Sequence, residues 1–338
     1  MKIGARRVNS LFPQIGAKPH FLRCDFRKKG IDPSGPGFSL IELLLALTIT
    51  LVLGLAGFHL FRQNERVFHD QNLIQEMQQG ARAAASQIAD EIRLAGQGVP
   101  IYSSSYDSAV SEAVVAILVG SDSSRINMRA GLSNAESTVI SPLPLNMTLG
   151  TAATLTVGSA SIFSDVVGTS PAGRYVYIWG PAADSNWAWV RASINSITTS
   201  TNTMQLTPAQ AGDGGRLTAA DNTIRFTSSP TISLEEGIAI YSDSSTNALR
   251  RATASNMTNL TSPTWTAAND LALNVTSLTF VYYDRFDNAI SPSTLADRAR
   301  VARVDARLVV QAAGNLSSGS RASFALGLRS IPRNLRIW

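Results

Sequence analysis

Gly37-Phe38-Ser39-Leu40-Ile41-Glu42, followed by Leu43-Leu44-Leu45-Ala46-Leu47-Thr48-Ile49-Thr50-Leu51-Val52-Leu53-Gly54-Leu55, decides how this chain is organised. A glycine closes a basic tract. An almost unbroken apolar run then begins, with one carboxylate near its start. From Phe38 to Phe61 there are 24 residues, in which Glu42 is the only acid and His59 the only other readily ionised group. A helix of that length covers about 36 Å, enough for a bilayer core of about 30 Å. An acid inside such a segment costs about 2.5–3.5 kcal/mol on insertion scales. Glu42 therefore reads as a functional residue that finds a partner charge.

The helical pattern does not stop at Phe61. Beyond Arg62, Leu73, Met77, Ala81, Ala84, Ile88, Ile92 and Ala95 recur at steps of 4, 4, 3, 4, 4 and 3. Gln75, Glu76, Gln78, Gln79, Arg82, Asp90 and Glu91 occupy the other faces. This is a helix with one apolar stripe, and the stripe needs something packed along it. Gly96, Gly98 and Pro100 supply the stop. A continuous helix from Phe38 to Ala95 would be about 87 Å long. Gly54, Gly57 and His59 mark where it could unwind locally. A secretory signal peptide would need a shorter apolar core followed by a small-residue cleavage site. The core here is long, and no clear A-x-A site follows it.

The basic leader, the glycine, the phenylalanine and the glutamate at the fifth position counting that phenylalanine as first closely resemble the type IV prepilin signature. That resemblance implies cleavage by a prepilin peptidase between Gly37 and Phe38, N-methylation of Phe38, and an assembly role for Glu42, paired with the Phe38 amine of its own or a neighbouring subunit. Glu76-Met77-Gln78-Gln79-Gly80-Ala81-Arg82 and Ile88-Ala89-Asp90-Glu91-Ile92-Arg93-Leu94-Ala95-Gly96 resemble the post-membrane helix of PilW-like minor pilins. The resemblance implies a non-enzymatic subunit that helps to initiate or cap a type IV pilus. Its partners would be prepilin peptidase, other minor and major pilins and an inner-membrane assembly platform. A type II secretion pseudopilin is the alternative within that class. A pilus-tip adhesin or DNA-uptake receptor is the alternative outside it, and only DNA uptake would bring in nucleic acid.

Charge agrees with this layout. The chain has 29 basic and 24 acidic residues. Eight of the basic residues and two of the acids lie in residues 1–37, so residues 38–338 carry 21 and 22, a net of −1. The basic balance belongs to the leader, which removes the main support for a nucleic-acid-binding chain. A basic leader before an apolar span is expected to stay cytoplasmic, with the remainder on the far side of the inner membrane and later in a fibre. All four lysines and the only cysteine, Cys24, are also in the leader. A domain exported without cysteine must rely on its core, and roughly 240 residues suffice for one.

From Val99 onward the chain turns to Ser, Thr, Asn and Gly with short β-prone runs. The expected strands are Ala113–Val119, Ala153–Val157, Arg174–Trp179, Trp187–Arg191, Thr203–Leu206, Thr223–Phe226, Ile238–Tyr241, Val275–Tyr283, Arg300–Gln311 and Ala322–Leu328. Val304, Ala306, Leu308 and Val310 alternate with more polar neighbours, and Leu278, Phe280 and Tyr282 form a matching apolar face. The expected fold class is α+β: a long helix, transmembrane then amphipathic, packed on a β-rich head. Its divisions are a leader at 1–37, the membrane half of the helix at 38–61, the amphipathic half at 62–96 and the head at 97–338.

The head's composition limits its chemistry. The histidines are His20, His59 and His69, so no His, Cys or Lys lies in the head. That rules out a Ser-His-Asp triad, a Cys-His pair and a His- or Cys-ligated zinc there. No cofactor motif and no metal motif stands out. Glu235-Glu236 and Asp284 with Asp287 read as solvated turns or strand ends rather than acid/base pairs or calcium ligands. Trp179, Trp187 and Trp189 read as hairpin packing rather than a sugar-binding face. Arg250-Arg251 and the arginines between Arg298 and Arg307 read as partners for acids on neighbouring strands.

Overall fold

The computed structural model describes residues 39–99, 112–168, 171–183, 187–212 and 222–332. Residues 1–38, which include the expected leader, Gly37 and Phe38, lie outside the described residues. The chain divides into two units, Met1–Phe61 and Arg62–Trp338.

The first unit's described residues belong to α1 (Leu40–Arg93) and the serine before it, and all of them are exposed. Their composition explains the helix. Leucines and alanines dominate, and no proline interrupts them. The helix passes Gly54, Gly57 and His59 without a break. Thr48 Oγ1 and Thr50 Oγ1 donate to the carbonyls of Leu45 and Ala46, each at 2.8 Å. Both hydroxyls are thus satisfied within the helix, as an apolar environment requires.

Among the described residues, the second unit holds the rest of α1 and every strand. In chain order these are β1 (Arg125–Arg129), β2 (Glu136–Ser141), β3 (Leu145–Thr148), β4 (Ala153–Val157) and helix α2 (Ser161–Val167). Next come β5 (Tyr175–Pro181), β6 (Trp187–Thr198), β7 (Thr203–Ala211), β8 (Thr223–Phe226) and β9 (Thr231–Leu234). The chain then forms β10 (Gly237–Asp243), β11 (Ala248–Asn256), β12 (Thr264–Trp265), β13 (Asn269–Leu273), β14 (Val275–Tyr283) and β15 (Ala289–Ile290). Helix α3 (Leu295–Arg300), β16 (Arg303–Gln311) and β17 (Ser323–Ser330) complete it. The fold class is therefore α+β, a long apolar-then-amphipathic helix followed by a strand-rich head.

The strands form three main bodies. One sheet has the order β1-β10-β11-β12, with β13 also on β11; a second has the order β15-β14-β16-β17. The third is a closed barrel, β2-β4-β7-β6-β5-β9, and β3 and β8 form a separate pair. Closing a barrel removes free strand edges.

The amphipathic half of α1 packs as its periodicity requires. Met77, Ala81, Ala84, Ile88, Ile92 and Ala95 are buried in one core with Ile126, Met128, Ile238, Ile240, Phe280, Val304, Ala306 and Leu308. Leu278, Phe280 and Tyr282 face Leu308, Ala306 and Val304 across the β14–β16 ladder, which is the alternation read from sequence. The barrel has its own core, including Val139, Leu155, Phe163, Ile178, Val190, Leu206, Phe226 and Ile232. A third cluster joins Val99, Ala113, Val114 and Leu118 to Tyr177 and Trp189 of the barrel and to Met257 and Leu260. Gly96 and Gly98 have φ of 82° and 77°, a region open to glycine, and they turn the chain out of α1.

Two expected strands need correction. Ala113–Val119 is not a strand; it makes one bridge, Ile117 to Met128. Residues 113–118 are all buried, and side chains claim carbonyls that a neighbouring strand would use. Arg129 Nη1 donates to the Val115 carbonyl at 2.5 Å, and the Tyr177 hydroxyl donates to the Ala113 carbonyl. The start of Arg300–Gln311 is also different, because Arg300 ends α3. Thr294 caps that helix, with Oγ1 accepting from Asp297 N at 3.1 Å, and β16 begins at Arg303.

Candidate functional site

The residues that open α1 form a reciprocal cap. Ser39 N donates to Glu42 Oε2 at 3.1 Å, and Glu42 N donates to Ser39 Oγ at 3.3 Å. The spacing is that of a capping box, in which two helix-end donors are satisfied by each other's side chains. Glu42 is thereby held back toward the chain preceding the helix. It sits beside Leu40, Ile41, Leu43, Leu44 and Leu45, all large, apolar and exposed. Helix α1 includes a segment long and apolar enough to cross a membrane, by length and composition. Phe38, the amine carrier in the sequence reading, lies outside the described residues, as does Gly37. Their roles are taken up below as proposals.

Within the second unit, the amphipathic half is tied down by polar contacts as well as by its stripe. Arg251 Nε donates to Glu91 Oε1 at 2.6 Å, joining α1 to β11. Ser317 N and Oγ donate to Asp70 at 2.8 and 2.5 Å, joining the β16–β17 loop to the helix. Ser330 Oγ donates to the Ala89 carbonyl at 3.1 Å. The Ser317 bonds hold the Asp70 carboxyl below its ordinary range.

Glu235 is the main departure from the sequence reading. It is not solvated; it is 2% exposed, in the two-residue link between β9 and β10. Arg129 Nε donates to its Oε1 at 2.6 Å, and Arg191 Nε donates to its Oε2 at 2.8 Å. The Tyr177 hydroxyl lies 3.2 Å from Oε1. Arg191 also donates to the Met257 carbonyl at 2.6 Å, and its guanidinium lies 3.7 Å from the centre of the Tyr175 ring. Burial pushes the Glu235 carboxyl up, but Arg129 and Arg191 outweigh it and hold it below the usual range. Burial likewise pushes the Tyr177 hydroxyl up. Arg129 belongs to the sheet and Arg191 to the barrel, so this charge triad joins the two. Sequence spacing could not find it, because its members are 44 and 106 positions apart.

The other candidates are structural. Glu236 Oε2 accepts from Ser133 N and Oγ at 2.8 and 2.7 Å. Asp284 is not solvated as read from sequence but buried, because it closes the β14–β15 turn, accepting from Phe286 N and Asn288 N at 2.8 and 3.0 Å. Burial raises the Asp284 carboxyl, but these bonds and Arg300 prevail and leave it lowered. Asp287 pairs with Arg303. Trp179 and Trp189 are paired across the β5–β6 hairpin, with Trp189 buried and Trp187 half exposed opposite Pro181. They do not form one open aromatic face. Arg250 pairs with Asp243 at 2.6 Å and Asp270 at 3.0 Å, on the two strands that flank it. Among the described residues, no cluster of three or more His, Cys, Asp or Glu is placed to hold a metal ion.

No family model matches this sequence, and no curated protein matches it. Among solved structures, it is similar to a type IV-like pilin from Thermus thermophilus, with 10% sequence identity and a TM-score of 0.22, over 53% of this chain and 94% of that one.

Proposed function

We propose that the chain is a minor pilin, made as an inner-membrane precursor and cut between Gly37 and Phe38 by a prepilin peptidase. It then joins major and minor pilins, on an inner-membrane assembly platform, to initiate or cap a type IV pilus. The observation that carries this reading is Glu42, the one carboxylate in the opening turns of an exposed apolar helix, directly after a basic leader ending in glycine. The exposed apolar half holds the subunit in the membrane before assembly and packs among other such helices afterwards. The chain works by association and not by turnover. N-methylation of Phe38 belongs to the same reading.

Glu42 has a definite task in this scheme. At about 4 Å in a low-dielectric setting, a carboxylate and an amine attract strongly, although desolvation cancels much of the gain. The pair acts mainly as a register device between subunits. Glu42→Val removes the membrane-inserted charge and the partner of the amine together. Cleavage and membrane insertion are expected to persist, while incorporation into sheared pili falls at least tenfold by immunoblot. Incorporation at the parental level would refute the role given to Glu42.

A further inference from the structure

β1 and β10 are hydrogen-bonded neighbours from Arg125–Tyr241 through Arg129–Gly237. Ala130 N extends the ladder by donating to the Glu236 carbonyl at 3.1 Å. A two-residue turn could close such a hairpin. Instead, 105 residues, 131–235, separate Ala130 from Glu236. The chain leaves the sheet, builds β2 through β9 with α2, and returns to the same point.

The excursion has its own interior. Among the described residues, every member of the barrel core lies between Ala135 and Leu234. Among the described residues, the core around α1 takes only Leu132 from 131–235. Exit and return run side by side, with Leu234 N donating to the Ala135 carbonyl at 2.9 Å and Ser133 bonded to Glu236. Adjacent ends are what allow one domain to be inserted into another. The two bodies meet through one apolar cluster, the Arg129–Glu235–Arg191 triad and hydrogen bonds around them, among them Arg174 Nη1 to the Ala254 carbonyl at 2.9 Å, Met257 N to the Gly173 carbonyl at 2.9 Å and Ser233 Oγ to the Gly98 carbonyl at 2.6 Å.

We infer that residues 131–235 are an inserted module with its own folding unit. The α1-and-sheet body displays the module, and the body's assembly role, on the minor-pilin reading above, does not require it. The body anchors and assembles; the barrel is what it carries.

Hydrogen exchange on the full chain in detergent tests the module. Ile178→Ala empties part of the barrel core. It should speed exchange in β2, β4–β7 and β9 roughly 30-fold or more, and leave α1, β14 and β16 within about twofold. Equal acceleration in both sets would overturn the module. A second test joins Ala130 to Glu236 through Asn-Gly in the full chain, with Arg129→Met because its acid is removed. Incorporation of this chain into pili at the parental level supports the division of labour. A chain that folds but is not incorporated, or that does not fold, overturns it. If the parental chain is itself never incorporated, the minor-pilin reading fails, and the exchange comparison still decides whether the barrel is a module.

Discussion

Glu235 shows how far one residue's role depends on tertiary placement. The Glu235-Glu236 pair reads as polar, and polar pairs usually lie in solvent. Here the backbone crosses from barrel to sheet at that point, and two arginines from different strands converge on the carboxylate. Removing one member of such a buried group costs about 3–5 kcal/mol, because a charge is left without its partner. Glu235→Gln is therefore expected to destabilise the head by about that much in urea unfolding. Replacing Arg129, Arg191 and Glu235 together by Met should be near neutral or stabilising by about 1–4 kcal/mol. A large loss in the triple variant would show that the triad contributes net stability.

The same residue gives a pH dependence of defined sign. The folded Glu235 carboxyl is held below its ordinary value, which is about 4.3 in model peptides. Its contribution is complete above that value and is lost as pH falls through the depressed folded one. The stability gap between the parental head and Glu235→Gln should be constant from about pH 5 upward. It should narrow below about pH 4. A gap that widens on acidification would contradict the ion triad.

At the scale of elements, the amphipathic half of α1 was the most legible part of the sequence. Its apolar residues recur at helical spacing, and the core needs that spacing, so pattern and packing carry the same information. The last strands were legible for the same reason, since Val304, Ala306, Leu308 and Val310 alternate and all face one core. Ala113–Val119 was not, because a short fully buried run has no periodicity to separate strand from irregular chain. β1 and β11 were missed because arginines and alanines dilute their apolar signal, and Arg129 in particular is buried by a partner 106 residues away. Ile88 and Ile92 are both fully buried beneath the sheets. Aspartate at both positions should destabilise the head by more than about 4 kcal/mol, through lost apolar burial and unpaired charge. Urea unfolding of a chain starting at Arg62 measures this, and a loss below 1 kcal/mol, roughly the cost of a surface change, would show that the stripe is not the core.

At the scale of the whole molecule, sequence and topology carried different kinds of information. The expected division into leader, apolar helix, amphipathic helix and β-rich head is read from charge, hydropathy and period, which are local. Closure of the barrel between β1 and β10 depends on β9 pairing with β2 and β5, which are far from it in sequence, and no local pattern encodes that. The proposed assembly role rests on the local part, above all on Gly37, Phe38 and Glu42. The intact mass of the membrane-extracted chain, co-expressed with a prepilin peptidase, therefore tests the central claim most directly. The account predicts loss of residues 1–37, a new terminus at Phe38, and no such loss in Gly37→Val, whose branched side chain crowds the backbone at the cut. A mature terminus beyond residue 55, or a full-length chain in the presence of an active peptidase, would contradict it.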